Sequence, residues 1–190
     1  MLDHGDTIGH RPRRVAVAGV SGAGKTTAAR RIADMVGAPH TEIDALHHGP
    51  DWIPRADFVA DVRALVAAPE WVTEWQYAHA RPLIAQRCDL MVWLHYPFWT
   101  VTLPRVTRRT VRRRLHREVL WNGNVEPPLH TIVTDPDHII RWAIATRHTF
   151  EERVAEVASR HPTLPIVHLS TPRDLEHWIA GPLTRASVTQ

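Results

Sequence analysis

The residues Gly19-Val20-Ser21-Gly22-Ala23-Gly24-Lys25-Thr26 have the types and spacing that bind a polyphosphate. Glycines let the backbone turn tightly with successive N–H groups aimed at one point. A helix beginning at Lys25 adds the partial positive charge of its N-terminus. In this Walker A pattern the lysine ammonium reaches the β- and γ-phosphates and the hydroxyl after it holds Mg²⁺. The reading assigns Gly19, Ser21, Gly22, Ala23, Gly24, Lys25, Thr26 and Thr27 to ATP or GTP, and Thr26 to the metal. Of the 23 Lys and Arg residues, Lys25 is the single lysine. The chain uses arginine everywhere else and keeps a compact ammonium where a planar guanidinium would not fit the nest.

Two acids fall where such a site needs them. Asp44 ends the segment His40–Asp44, read as a second strand, and Glu74 ends Trp71–Glu74, read as a third. Ligands of open α/β sheets gather beyond the carboxyl ends of the strands, so both carboxylates are expected near the phosphates. Asp44 could take or orient the proton of an acceptor hydroxyl; the alternative is a helix cap or a surface aspartate. Glu74 could hold Mg²⁺, directly or through water, or contact the acceptor; the alternative is a buried pair with an arginine. A negative charge at Asp44 favours a hydroxyl acceptor over a nucleoside monophosphate, whose phosphate it would repel. Trp52 and Trp75 flank the expected acceptor region and could stack on a ring, with packing as the plainer reason.

A third feature is electrostatic. Arg105, Arg109, Arg113 and Arg117 recur every four residues, Arg108 and Arg112 lie on the adjoining row, and no acid interrupts the run. The total charge is +3, and without this run the remainder is net negative. Like charges at i,i+4 cost a helix roughly 0.2–0.5 kcal/mol per pair. A triphosphate under a closing lid would relieve that repulsion; a solvated basic face, or acids distant in sequence, would do so too.

The elements that must position these groups alternate. Strands are expected at Arg14–Gly19, His40–Asp44, Trp71–Glu74, Leu90–Leu94 and Ile166–Leu169. Helices are expected at 25–36, 55–67, 79–87, 105–119 and 137–159, with a last one starting at Thr171-Pro172 as N-cap and N1. Alternation predicts an α/β fold with a parallel sheet covered on both faces. With 190 residues and 44% hydrophobic content the chain fits one domain, 13–180, between a loose leader at 1–12 and a loose tail at 181–190. One cysteine, Cys88, allows no intrachain disulfide, and no apolar run approaches the ~18 residues of a membrane span. Without a signal-type segment at the start, the expected compartment is the cytoplasm. Fourteen histidines are scattered without the spacing of a structural metal site.

Gly19–Thr26, Ile43-Asp44-Ala45-Leu46 and Trp52-Ile53-Pro54-Arg55 resemble the small P-loop kinases related to adenylate kinase. With Trp71–Glu74, Asp89–Leu94 and Arg117–Asn124 they look most like the DNA topology modulation protein group, over roughly residues 14–180. The resemblance implies a three-layer P-loop fold with a central, mostly parallel five-stranded sheet. It implies an acceptor region near 45–70 that includes Arg55, and an arginine-rich helical lid near 108–135 with Arg112, Arg113 and Arg117 as catalytic candidates. Arg81 is implied to contact acceptor or phosphate. The group tends to carry Asp-Gly-Asn-Tyr where this chain has Glu74-Trp75-Gln76-Tyr77, and Asp where His95 stands. The combined expectation is an ATP/Mg²⁺-dependent phosphotransferase acting on a small hydroxyl-bearing molecule, nucleoside or nucleotide. A nucleic-acid-linked kinase or a regulatory NTPase is the alternative; a nucleic-acid partner is not favoured.

Overall fold

The computed structural model describes residues 1–136 and 138–188. Five strands, β1 (Arg14–Gly19), β2 (His40–Thr41), β3 (Trp71–Glu74), β4 (Leu90–Leu94) and β5 (Ile166–Leu169), form one sheet in the order β2-β3-β1-β4-β5. All its pairings are parallel. The helices are α1 (Lys25–Val36), α2 (Ile43–His47), α3 (Phe58–Ala67), α4 (Arg81–Arg87), α5 (Leu103–Leu115), α6 (Thr131–Thr134), α7 (Ile139–Ala145), α8 (Thr149–Arg160), α9 (Pro172–Trp178) and α10 (Thr184–Val188).

Period-two alternation sorts the strands onto two cores. Val15 and Val17 of β1 join α1, Trp178 and Leu183 on one face, while Ala16 and Ala18 join α3, α4 and α8 side chains on the other. Burial on both faces explains why β1 and β4 read as unbroken apolar runs. The chain leaves β1 toward β2 and β3, then crosses back to β4, so the order reverses at β1. That reversal opens a crevice at the carboxyl ends of β1 and its neighbours, where register places Glu74 beside Val17 and Leu94 beside Gly19. Thr171 caps α9 in a reciprocal capping box with Asp174, with Pro172 in the first turn, as the sequence implied.

Four expectations change. The second strand stops at Thr41, because Glu74 Oε2 captures the Ile43 N–H at 2.9 Å and the chain turns into α2; Asp44 lies in the first turn of that helix. The arginine helix ends at Leu115, and Arg117 takes a left-handed φ of 46°. That reversal brings Glu118 back to within 3.6 Å of Arg112 and 3.5 Å of Arg113, supplying the acid the run lacked. The helix expected over 137–159 is two, α7 and α8, broken where Thr149 Oγ1 bonds the Thr146 carbonyl at 2.7 Å; Asp137 lies outside the described residues. The expected leader and the described part of the expected tail are not loose. Leu2 pairs with β5 through its N–H on Ile166 O (2.7 Å) and its carbonyl under His168 N–H (2.9 Å), and Ile8 is buried. Residues 179–188 are helical, with Leu183 fully buried against α1; residues 189–190 of the expected tail lie outside the described residues. Among the described residues no helix is long and apolar enough to cross a membrane.

Leu183→Ala should therefore cost about 2–5 kcal/mol, read from urea unfolding, because it opens a cavity in a closed core. A loss under about 0.5 kcal/mol, the scale of a surface change, would show that 179–188 carry none of the fold.

Candidate active site

The phosphate loop follows β1 and is shaped by two left-handed glycines. Gly22 has φ +88°, and a Cβ there would stand 2.8 Å from both the Thr102 carbonyl oxygen and Val106 Cβ. Only glycine lets the start of α5 pack this closely on the loop. Gly24 precedes α1 with φ +93°, and neither a side-chain cap nor a first-turn acid satisfies the helix N-terminus. The orphan N–H groups of Lys25, Thr26 and Thr27 are the donors that a phosphate accepts from. These residues fit a Mg²⁺-bound nucleoside triphosphate.

Lys25 is 9% exposed; its Nζ donates to the Val20 carbonyl at 3.3 Å and lies 5.9 Å from the Phe150 ring centre. Burial pushes its pKa down to about 8, against the pull of Asp44 and Glu74, with Arg109 adding to the depression. The phosphate lysine, both acids and one arginine thus share a single electrostatic neighbourhood.

Glu74, 3% exposed, accepts from Ile43 N–H at 2.9 Å on one oxygen and lies 3.2 Å from His40 Nε2 on the other. Burial works to raise its pKa, but the bonds from His40 and Ile43 outweigh it and hold the carboxyl below its usual range. Both oxygens already have protein partners, which suits contact with a metal through water better than a direct bond.

Asp44 is held from one side. Tyr77 Oη donates to its Oδ1 at 2.6 Å and Gln76 Nε2 donates to the same oxygen at 2.9 Å. Tyr77 also bonds His48 Nε2 at 3.0 Å and stacks on His47, ring centres 3.7 Å apart. Burial drives the tyrosine pKa upward, and the Asp44 charge adds to it, so Tyr77 stays a donor. Asp44 and His48 are one helical turn apart, which is why the relay closes.

The segment after α5 seals this side. Asn124, 5% exposed, donates to the carbonyls of Gly49 (2.8 Å) and Trp121 (2.9 Å) and accepts from Trp52 N–H (3.0 Å). Trp52 Nε1 bonds the Val125 carbonyl at 3.3 Å, and Trp121 Nε1 bonds Glu42 at 2.7 Å. Of the five described non-glycine residues with left-handed φ, Asp51, Trp52, Tyr77 and Asn122 border this region. Such residues cost of order 1–3 kcal/mol each and cluster where surrounding contacts over-determine them, as at active sites.

The site residues read from sequence divide sharply. Lys25, Asp44 and Glu74 come together, and Trp52 stands at the seam with 121–125. Arg109 is the arginine of α5 that faces them: burial lowers its pKa, Arg113 lowers it further, and Asp44 and Glu126 oppose the shift. Its Nε has no protein partner among the described residues. Arg113 is tied to Glu118 (3.5 Å) and Glu126 (3.6 Å). Arg112 lies with Val111 and Leu115 along a groove on the outer face of α5, and Arg117 is exposed, so neither points at the phosphate loop here. Arg55 is engaged by Asp61 (2.9 Å) and the Leu46 carbonyl (3.3 Å). Arg81 lies 5.8 Å over Trp75, its pKa lowered by burial and then by Arg153. Trp75 is core, 3% exposed and bonded to the Arg81 carbonyl at 2.9 Å. The sequence reading missed Arg109, His48, Tyr77 and Asn124 as site residues. Two signals existed: Arg109 is the middle of the Arg105–Arg113 row, and His48 follows Asp44 by four.

A parallel sheet ordered β2-β3-β1-β4-β5, with the glycine loop leading from β1 into α1, defines a P-loop α/β fold. Two solved structures share it. One is a sugar kinase from Janibacter sp. HTCC2649 at 20% identity, over 94% of this chain and 99% of that chain, with a TM-score of 0.50. The other is a gluconokinase from Sinorhizobium meliloti 1021 at 21% identity, over 94% and 95%, with a TM-score of 0.52. At such identities the likeness is one of fold. No protein-family model matches the chain, and no curated protein matches it.

The depressed lysine gives a pH test. Near pH 8 the free protein holds Lys25 partly deprotonated, and an incoming triphosphate favours the charged form. Binding of Mg·ATP should take up protons as pH rises past about 8 and weaken over the same range. Calorimetry in buffers of different ionisation enthalpy reads the uptake. Lys25→Met should abolish it; uptake that persists in that variant places the titrating group elsewhere.

Proposed function

We propose that this protein is an ATP- and Mg²⁺-dependent phosphotransferase that phosphorylates a hydroxyl group of a small molecule. The observation that carries the reading is the convergence of Lys25 and Asp44: the cation of the phosphate loop feels a carboxylate that Tyr77 and Gln76 orient from behind. Its fold likeness to a gluconokinase and a sugar kinase agrees with this reading. The resemblance to the DNA topology modulation group adds no acceptor of its own.

Bound Mg²⁺ would neutralise charge on the β- and γ-phosphates, with Thr26 and, through water, Glu74 as the residues to hold it. The N–H groups of 21–27 and Lys25 grip the phosphates; Arg109 approaches from α5 to stabilise charge on the transferred group. Both hydrogen bonds to Asp44 fall on Oδ1, which leaves Oδ2 to meet the acceptor hydroxyl. The hydroxyl oxygen forms the new bond to γ-phosphorus, the bond from γ-phosphorus to the β–γ bridging oxygen breaks, ADP leaves, and the hydroxyl proton goes to Asp44. The segments 45–70 and 108–135 serve as acceptor region and lid. A nucleic-acid partner is less well supported, because Glu118 and Glu126 already answer Arg112 and Arg113.

The test is transfer from labelled ATP into a metabolite and nucleoside library, with products read by mass. Lys25→Ala should lose about 10²–10³ in rate, the worth of one pre-placed electrostatic contact, and wild-type turnover in that variant would sink the site. Asp44→Asn should lower transfer by roughly 10²–10⁴ while the ATP affinity stays within about threefold. If ATP binding falls as far as in Lys25→Ala, Asp44 belongs to the nucleotide side. Among the arginines, Arg109→Leu should cost about 10²-fold or more in kcat, whereas Arg112→Ala and Arg117→Ala should stay near wild type. Equal losses in all three would return the charge-stabilising role to the outer row.

A further inference from the structure

We propose that the acceptor is an uncharged alcohol borne on a flat ring, of the nucleoside or aryl-alcohol type, and not a hydroxy acid, a simple sugar or a nucleoside monophosphate. The inference rests on the phosphotransferase reading and narrows it to one substrate class.

Six rings form a continuous cluster that reaches Asp44 through Tyr77. His47 stacks on Tyr77 at 3.7 Å, and Phe58 meets Tyr77 edge-on at 5.4 Å. His48 meets Trp52 edge-on at 5.1 Å and faces Trp121 at 6.0 Å with 24° between planes; Trp52 and Trp121 centres are 6.3 Å apart. These are not ordinary core rings. Trp71 and Trp178 are fully buried, whereas His47, His48, Trp52, Tyr77 and Trp121 are only half-buried. Trp52 and Tyr77 reach their places with φ of 61° and 62°, a region bulky residues rarely adopt. An aromatic face binds a flat ring by stacking and burial and has no comparable hold on an open-chain acid.

The charges disfavour an acidic acceptor. Among the described residues, three cations on the acceptor side already have acid partners. Arg55 is held by Asp61, Arg113 by Glu118 and Glu126, and Arg30 by Glu42. Arg81 lies over Trp75 with Arg153 opposing its charge, and Arg109 senses both Lys25 and Asp44. His47 and His48 supply rings without charge: burial pushes His47 down to about 4 and His48 in the same direction, with their mutual repulsion adding to the His47 shift. What remains is Asp44, with Glu42 behind Trp121. A carboxylate or phosphate on the acceptor would meet the Asp44 charge while Arg55, Arg113 and Arg30 are already held by acids.

Binding to the full chain preloaded with Mg²⁺ and a non-hydrolysable ATP analogue is measured by calorimetry, with transfer from ATP followed in parallel. The ligands are adenosine, thymidine, 4-hydroxybenzyl alcohol, glucose, gluconate and AMP. At least one ring alcohol should bind tighter than glucose, gluconate and AMP by roughly 5- to 150-fold, the worth of one ring stacked on an aromatic side chain. Trp121→Ala should lower that affinity by a similar factor. Trp121→Phe, which keeps a ring but not the bond to Glu42, should retain it within about threefold, separating stacking from loop anchoring. Tighter binding of gluconate, glucose or AMP overturns the inference, as does failure of every ring alcohol to bind at millimolar concentration. Ring binding without phosphate transfer upholds the acceptor class and sinks the kinase reading; transfer to gluconate does the reverse.

Discussion

A lysine ammonium buried to 9% exposure is costly unless other charges answer it, and the answer organises this molecule. Asp44 arrives from α2 and Glu74 from the end of β3, both raising the lysine pKa against the larger effect of burial. Arg109 arrives from α5 with the opposite effect. The balance leaves a cation whose pKa is about 8, which a polyphosphate can restore to full charge. The glycine loop, the short β2 and the approach of α5 each serve this arrangement.

Glu74 shows how one side chain shapes the next element. Its carboxylate takes the N–H that would have continued β2, so the chain turns and α2 begins one residue before Asp44. Asp44 then stands on a helix with His48 one turn below it, and Tyr77, three residues past Glu74, reaches across to both. Two carboxylates that look equivalent in the sequence have different duties: one is bonded on both oxygens within the fold, the other on one oxygen only.

The loop after α5 closes the acceptor side more firmly than its composition suggests. Asn122-Gly123-Asn124 reads as punctuation, yet Asn124 is buried and spends its amide on Gly49, Trp121 and Trp52. Two of these bonds reach residues 49–52 and one stays within the loop. Parting this loop from residues 48–52 therefore means breaking those bonds.

The sequence by itself determined the α/β class, β1, β3, β4 and β5 at their observed bounds, α1, and the phosphate loop. Those features are local: period-two burial, 3.6-residue periodicity and a glycine spacing can be read within a dozen residues. It also singled out Lys25 from the glycine spacing and Glu74 as a strand-end acid, whereas Asp44, which the sequence places at a strand end, stands in the first turn of α2. Tertiary structure alone decided which arginine matters, since a four-residue row names several candidates and only the packing of α5 on Gly22 turns Arg109 inward. It decided that both termini belong to the fold, because Leu2 and Leu183 find partners more than a hundred residues away. It also decided that Arg55 and Arg81 are occupied elsewhere, for the groups that engage them are set by side-chain geometry no one-dimensional pattern records.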